Sequence, residues 1–141
     1  MVDVPALVST VVTAMKTLSP GVTIYDGFVP DKVPTDPSGK YVLPYAALWA
    51  GIGDNPDELT SCGTHSTDTL IWDFQTTAVA SSPEACRGVA ADIKTRLNNL
   101  RAGTGMVRPN PDGFQQQTPI LDTSVTPARF MLPTQWRLIT N

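Results

Sequence analysis

Apolar residues recur with two different periods along this chain, and the first of these predicts a helix near the N-terminus. Between residues 4 and 18 the apolar positions repeat at helical spacing. The members of this stripe are Val4, Leu7, Val8, Val11, Val12, Met15 and Leu18. Asp3 precedes the stripe as a candidate N-cap, and Pro5 falls in the first turn, where a missing N–H breaks no hydrogen bond. Pro20 and Gly21 follow, so we expect the helix to end before them.

The second period, an alternation of apolar and polar residues, predicts strands in much of the remaining chain. Three strands are expected before the middle of the chain, at Val22–Phe28, Tyr41–Ala50 and about Ser66 to Val79. Two short β runs, Gly105–Val107 and Thr118–Asp122, then precede a final strand at Ala128–Ile139.

The alternation also predicts which side chains share a face. In the second strand these are Tyr41, Leu43, Tyr45, Ala47 and Trp49, and in the long third strand they are Leu70, Trp72, Phe74, Thr76 and Ala78. In the last strand Ala128, Phe130, Leu132, Trp136 and Leu138 oppose Arg129, Gln135 and Arg137. Because Pro44 cannot donate to a ladder, we expect the second strand to lie at a sheet edge or to carry a bulge.

A second helix is predicted after the long strand. Ser82, Pro83 and Glu84 supply the N-cap, the first-turn proline and an early acid, and an apolar stripe runs from Ala85 to Leu100. The resulting order is α-β-β-β-α, followed by the two short β runs and the final strand, and it contains no repeat or linker. We therefore predict one α+β domain over residues 1–141, with an antiparallel or mixed β-sheet and two α-helices packed on one face.

Composition narrows the classes of function. The 141 residues carry a net charge of -3, only 16% are charged, and the arginines are dispersed. No basic stretch offers several phosphate contacts, so sequence-specific nucleic-acid binding is not expected. No apolar run reaches the roughly 20 residues of a spanning helix, and the N-terminus lacks the features of a signal peptide. We expect no membrane association and a cytosolic product.

Candidate chemistry is sparse. His65, the one histidine, lies near Cys62 and Asp68, which superficially offers a base, a nucleophile and an orienting acid. Such groups usually converge from distant segments, so we expect His65 to lie on the surface or at the end of a strand. Cys62 and Cys86 are read as two buried thiols, with a disulfide as the alternative. We predict no catalytic residues, no metal site and no cofactor.

The order of elements and several short motifs resemble one known family. The N-terminal helix leads into "VTIYDGFVPD", a proline-rich gap and "YVLPYAALWAG". "THSTDTLIWDFQTTAVASSPEACRGVAADIKTRLNNL" and the closing strand "RFMLPTQWRLIT" follow. This arrangement resembles the small tail terminator, or tail completion, proteins of long-tailed bacteriophages over nearly the whole chain.

The resemblance implies a structural virion protein of α+β fold and no enzyme activity. Such a subunit assembles as a homo-oligomer, a hexameric ring on the tail tube protein, and there it ends tube polymerisation. Its other face meets the head completion or connector protein, and DNA passes through the lumen without being read. The expected location is the neck-proximal end of the tail in the virion, after assembly in the host cytoplasm.

Ring assembly would give the proline-rich gap a role. We hypothesise that Val29–Lys40 contacts the adjacent subunit or the tail tube, because prolines reduce the entropy that a docking loop loses. The candidate interface residues in this gap are Pro30, Asp31, Lys32, Pro34, Asp36 and Lys40. A second candidate surface is the polar loop "RPNPDGFQQQTP", with Phe114 as an exposed aromatic anchor. The weakly charged outer face of the first helix is a further candidate contact.

Two other classes of function remain open. One is a related head-tail connector or neck protein, which shares small α+β subunits and ring symmetry. The other is an unrelated globular domain, either a small hydrolase around His65 or a ligand-binding module.

Overall fold

A computed structural model describes residues 2–18, 21–56, 58–59, 65–66 and 69–141 of the chain. The helices are α1 (Val4–Met15) and α2 (Pro83–Leu97). The strands are β1 (Thr23–Asp26), β2 (Tyr45–Ala50), β3 (Glu58–Leu59), β4 (His65–Ser66), β5 (Leu70–Ala80), β6 (Arg101–Ala102), β7 (Gly105–Met106), β8 (Arg108–Pro109), β9 (Ile120–Asp122) and β10 (Arg129–Thr140).

One mixed sheet organises these strands, in the order β1-β2-β5-β10-β8, with β9 also paired to β10. β1 runs parallel to β2, whereas the pairs β2–β5, β5–β10, β10–β8 and β10–β9 are antiparallel. β3–β4 and β6–β7 form two separate short ribbons. The prediction of an α+β fold with a mixed sheet is confirmed.

The predicted caps start both helices. The Asp3 carboxylate accepts from the Ala6 N–H at 3.3 Å, and the Ser82 hydroxyl accepts from the Ala85 N–H at 3.2 Å. Each bond satisfies one of the backbone donors that a helix leaves free in its first turn. α1 ends at Met15, one turn before the end of its apolar stripe, and Leu18 is buried in the turn that follows.

Both helices pack on the same face of the sheet. Buried residues of α1 (Leu7, Val11, Met15) and of α2 (Cys86, Val89, Ile93, Leu97) belong to one hydrophobic cluster with the inward side chains of β2, β5 and β10. The strand residues in this cluster are Ala46, Leu48, Leu70, Trp72, Phe74, Ala78, Ala80, Leu132, Trp136 and Leu138. The faces predicted for the long strand and the final strand are therefore the core faces.

Two strand predictions need correction. β2 begins at Tyr45, not Tyr41, and lies inside the sheet between β1 and β5 rather than at an edge. Pro44 precedes the paired segment, so its missing N–H interrupts no ladder. The long strand begins at Leu70, because Ser66 belongs to the separate β3–β4 ribbon.

Candidate functional site

The face of the sheet opposite the helices, called here the helix-free face, is the first candidate interaction surface. Alternate residues of β2, β5 and β10 point toward it, and in the described part of the chain no helix covers it. Its members are Tyr45, Ala47, Trp49, Gln75, Thr77, Val79, Met131, Pro133 and Gln135. The side chains predicted to share a face of the second strand lie here from Tyr45 onward, outside the hydrophobic cluster.

A shallow groove of about 220 Å³ crosses this face. Trp49 and Ile120 border it and are 40% and 43% exposed. Large apolar side chains left this open on a sheet that already has a core on its other side are typical of surfaces that a partner covers.

Arg129 holds the loop after β9 against one end of the helix-free face. Its Nε donates to Asp122 Oδ2 at 3.1 Å, and its Nη1 donates to the Tyr45 hydroxyl. Ser124 and, to a smaller extent, Arg129 lower the pKa of Asp122 by hydrogen bonding to its carboxylate. Burial raises the pKa of Tyr45, although Arg129 opposes this shift. The network fixes the position of residues 122–129 relative to β2.

The proline-rich gap is folded rather than extended, and residues 34–43, called here the proline hairpin, pair with each other. The Leu43 N–H donates to the Pro34 carbonyl at 2.9 Å, and the Asp36 N–H donates to the Tyr41 carbonyl at 3.0 Å. Gly39, with a φ of 69°, supplies the left-handed residue in the turn. The gap therefore presents a preformed shape.

Asp36 stabilises the turn of the proline hairpin. Its carboxylate accepts from the Ser38 hydroxyl at 2.6 Å and from the N–H groups of Lys40 and Tyr41 at 3.1 and 3.2 Å. The Ser38 hydrogen bond is the largest cause that lowers the pKa of Asp36. The position of Asp36 in the turn is explained by these local bonds, independently of any contact with a neighbour.

The structure brings some of the predicted interface residues together and separates others. Pro30 and Asp31 line a cavity of about 200 Å³ between the gap and residues 125–127, and Arg129 lines both this cavity and the groove on the helix-free face. Lys32 and Lys40 are exposed. The proline-rich gap and the helix-free face thus adjoin one another.

Phe114 lies on a different surface. It is 47% exposed, and its N–H donates to Gln135 Oε1 at 3.1 Å. Together with Arg87 and Lys94 it lines a groove of about 380 Å³ between α2 and residues 109–117, called here the α2 groove. Its predicted exposure is therefore observed, and it lies on a second surface, apart from the other candidate residues.

Sequence reasoning missed the ion pairs of the last strand. Arg137 donates through Nε and Nη2 to both carboxylate oxygens of Asp73, at 2.8 and 3.0 Å, and through Nη1 to Asp112 at 2.8 Å. The hydrogen bonds from Arg137 lower the pKa of Asp73, and its two partners raise the pKa of Arg137. The alternation placed Arg129 and Arg137 on one side of β10, but their partners come from distant segments.

The candidate chemistry named from the sequence lies only partly within the residues that the structure describes. No three of the described His, Cys, Asp and Glu side chains converge as metal ligands, and no described helix is long and apolar enough to cross a membrane. Cys86 is a buried free thiol, and burial raises its pKa to about 11. Cys62 and Asp68, named above with His65, lie outside the described residues.

Comparison with known proteins identifies the fold but not a family. No protein-family model and no curated protein matches the sequence. A solved structure, of a protein whose name states no function, aligns over 97% of this chain and 92% of its own, with a TM-score of 0.51 and 15% sequence identity. At this identity the likeness shows the fold alone.

Proposed function

We propose that this protein is a tail terminator of a long-tailed bacteriophage. Six copies form a ring on the finished tail tube, end its polymerisation and provide the tail side of the head-tail joint. DNA passes through the lumen unread. The protein is a structural component without a cofactor, located at the neck-proximal end of the tail after assembly in the host cytoplasm.

The helix-free face is the observation that carries this proposal. It presents a partly apolar sheet surface with Trp49 and Ile120 exposed, and the preformed proline-rich gap adjoins it through Arg129. A rigid loop loses less conformational entropy when it docks. An open apolar surface contributes favourable free energy when a partner buries it. A subunit whose function is to be covered by neighbouring copies or by the tube protein uses both features.

Two further observations support the same function. The motifs that resemble tail terminators fall on β1 with the start of the gap ("YDGFVP") and on the start of β2 ("PYAAL"), the elements that border the proposed surface. The net charge of -3 per copy also suits a conduit through which DNA slides without binding.

Mass and tube binding test the proposal. We expect light scattering at two concentrations and two salt levels to give a particle near six times 15.1 kDa, or a monomer that forms rings only on added tail tubes. Electron microscopy of tail tubes from the virus that encodes the chain should then show a cap at one end. Wild-type protein that neither forms a ring nor binds a tube end contradicts the proposal.

The alternatives give different results in the same experiments. A head completion or neck protein would bind the head connector and leave tube ends open. A hydrolase built around His65 would lose its activity in His65→Ala, whereas this substitution leaves the assembly of a terminator unchanged.

A further inference from the structure

Charge is distributed unevenly between the two ends of the sheet. Residues 21–56, which form β1, β2 and their loops, contain four aspartates and two lysines. Residues 83–108, which form α2 and the strands up to β8, contain five basic residues and two acids. Because β1 and β8 lie at opposite ends of the sheet order, one end of the subunit is acidic and the other is basic.

The basic end has a concave surface, the α2 groove. Arg87 and Lys94 stand two helical turns apart on α2, about 10 Å along its axis, with Ala90 and Ala91 between them on the groove wall. Within the described part of the chain neither cation has a hydrogen bond or an ion pair. The wall of the groove therefore offers two unpaired positive charges with two small residues between them.

The acidic end carries two aspartates with an aromatic residue between them, which complements the two cations of the groove. Asp26, Phe28 and Asp31 follow one another at the end of β1 and the start of the gap, and Phe28 is 63% exposed. Neither Asp26 nor Asp31 has a side-chain hydrogen bond or an ion pair with any residue that the structure describes. The five steps from Asp26 to Asp31 span at most about 18 Å, so the segment is long enough to reach both cations, which stand about 10 Å apart.

We propose that the α2 groove of one copy receives the Asp26–Asp31 segment of the next copy. The two aspartates pair with Arg87 and Lys94, and Phe28 packs over Ala90 and Ala91 near Phe114. This contact deepens the proposed ring function and rests on it. It also gives the copies a direction, since the groove and the segment lie at opposite ends of the sheet.

Charge selects a head-to-tail contact over a two-fold one. A two-fold contact centred on the groove would place Arg87 and Lys94 opposite their own symmetry copies, and like charges repel. A two-fold contact that paired each groove with the other copy's segment would need both on one side of the subunit, whereas they lie at opposite ends of the sheet. A head-to-tail contact pairs opposite charges at every interface and closes into a ring when the rotation per subunit allows. A second copy is preferred over another acidic partner because the chain itself supplies the complementary segment.

Charge reversal at each end tests this contact. The groove variant is R87E/K94E, the segment variant is D26K/D31K, and the matched control is R96E/R101E, which makes the same charge change outside the groove. Sedimentation velocity at about 20 mM salt, with protein up to about 1 mM, measures association. We expect each of the two reversed variants alone to associate at least tenfold more weakly than wild type, and the control to associate like wild type.

An equimolar mixture of the groove and segment variants should recover association. In such a mixture each acidic groove meets a basic segment and each basic groove meets an acidic segment, so alternating contacts form. Wild-type association should also weaken as salt rises. No recovery in the mixture, a control as weak as the groove variant, or a wild type that stays monomeric at about 1 mM overturns the contact.

These results are separable from the proposed function. Rings or tube caps that persist in R87E/K94E and D26K/D31K would refute the contact and leave the terminator function standing. Wild-type protein that associates through this contact but ignores tube ends would refute the function and leave the contact standing.

Discussion

At the scale of single residues, two buried tryptophans depend on one acceptor each. The Trp136 indole N–H donates to the Thr76 hydroxyl at 3.0 Å, and the Trp72 indole N–H donates to the Gly51 carbonyl at 2.9 Å. Both rings are fully buried, so water cannot replace either acceptor. A threonine on the apolar side of β5 is thus explained by the tryptophan of the neighbouring strand.

Thr76→Val should therefore destabilise the fold despite its matched shape. The substitution leaves the Trp136 N–H buried without an acceptor, which costs about 1–3 kcal/mol. Urea unfolding monitored by tryptophan fluorescence measures the loss. Thr76→Ser is the control, because it keeps the hydroxyl while losing a methyl group. A valine variant as stable as wild type would show that the hydrogen bond contributes nothing.

Three aspartates make stability sensitive to acid. The pKa values of Asp36, Asp73 and Asp122 are lowered in the folded protein, chiefly by hydrogen bonds from Ser38, Arg137 and Ser124 respectively. Because the folded pKa lies below the unfolded value of about 3.9, their contribution is present above that pH. It is lost as the pH falls through the lowered values.

We expect the free energy of unfolding to decrease steadily below about pH 4. Denaturant titrations at pH 7, 5, 4 and 3 measure this decrease, and the slope should be shallower in D36N/D73N/D122N. An equally steep slope in that variant would assign the acid sensitivity to other groups.

Cys86 predicts a second decrease in the free energy of unfolding, at alkaline pH. Burial raises the pKa of its thiol to about 11, so the unfolded chain loses this proton first as the pH rises. The corresponding stability is present below the unfolded value, about 8.5, and is lost between there and pH 11. Thermal unfolding of wild type and Cys86→Ala at pH 7, 8, 9 and 10 should show a smaller alkaline decrease in the variant. Equal decreases would contradict the prediction.

At the scale of elements, local signals decide where a helix starts and tertiary contacts decide which strands pair. Ser82 caps α2 in the way that its sequence position predicts. Counting Pro44 inside the second strand predicts an edge strand or a bulge, whereas residues 34–43 close on themselves as the proline hairpin. The hairpin shortens the strand and leaves Tyr45 as its first paired residue.

Ser82→Ala should destabilise the protein by about 1 kcal/mol, because the Ala85 N–H loses its acceptor at the first turn of α2. Differential scanning calorimetry measures the change. Ser81→Ala, one position before the N-cap, is the matched control and should stay within about 0.5 kcal/mol of wild type. If both variants behave alike, the cap does not stabilise α2.

At the scale of the whole molecule, the helices bury one face of the sheet and leave the other for contact. Trp49→Glu places a charge on the helix-free face at a side chain that is 40% exposed. We expect it to keep the unfolding midpoint of wild type and to abolish ring formation or tube capping, because the charge would be buried without a partner at the interface. Light scattering and electron microscopy measure the loss.

Thr13→Glu is the control for this experiment. Thr13 is exposed on the outer face of α1, the other surface that the sequence offers for a neighbour. Assembly that survives Trp49→Glu but fails in Thr13→Glu would move the interface from the sheet to α1.

The sequence by itself determined both helices, the two long strands β5 and β10, and the buried sides of these four elements. Helical spacing identified the inward residues of α1 and α2, and alternation identified those of β5 and β10, because side-chain direction follows backbone period. The caps at Asp3 and Ser82 were also readable, since they act over three residues.

Only the tertiary structure decided which distant groups meet. The parallel pairing of β1 with β2, the bonds from Arg129 to Asp122 and Tyr45, and the bonds from Arg137 to Asp73 and Asp112 depend on the sheet order. Sequence spacing does not encode that order, because contacts between distant segments arise from packing. The sequence likewise offered Phe114 as the anchor of a second candidate surface, but only the fold shows that α2 residues line a groove with it.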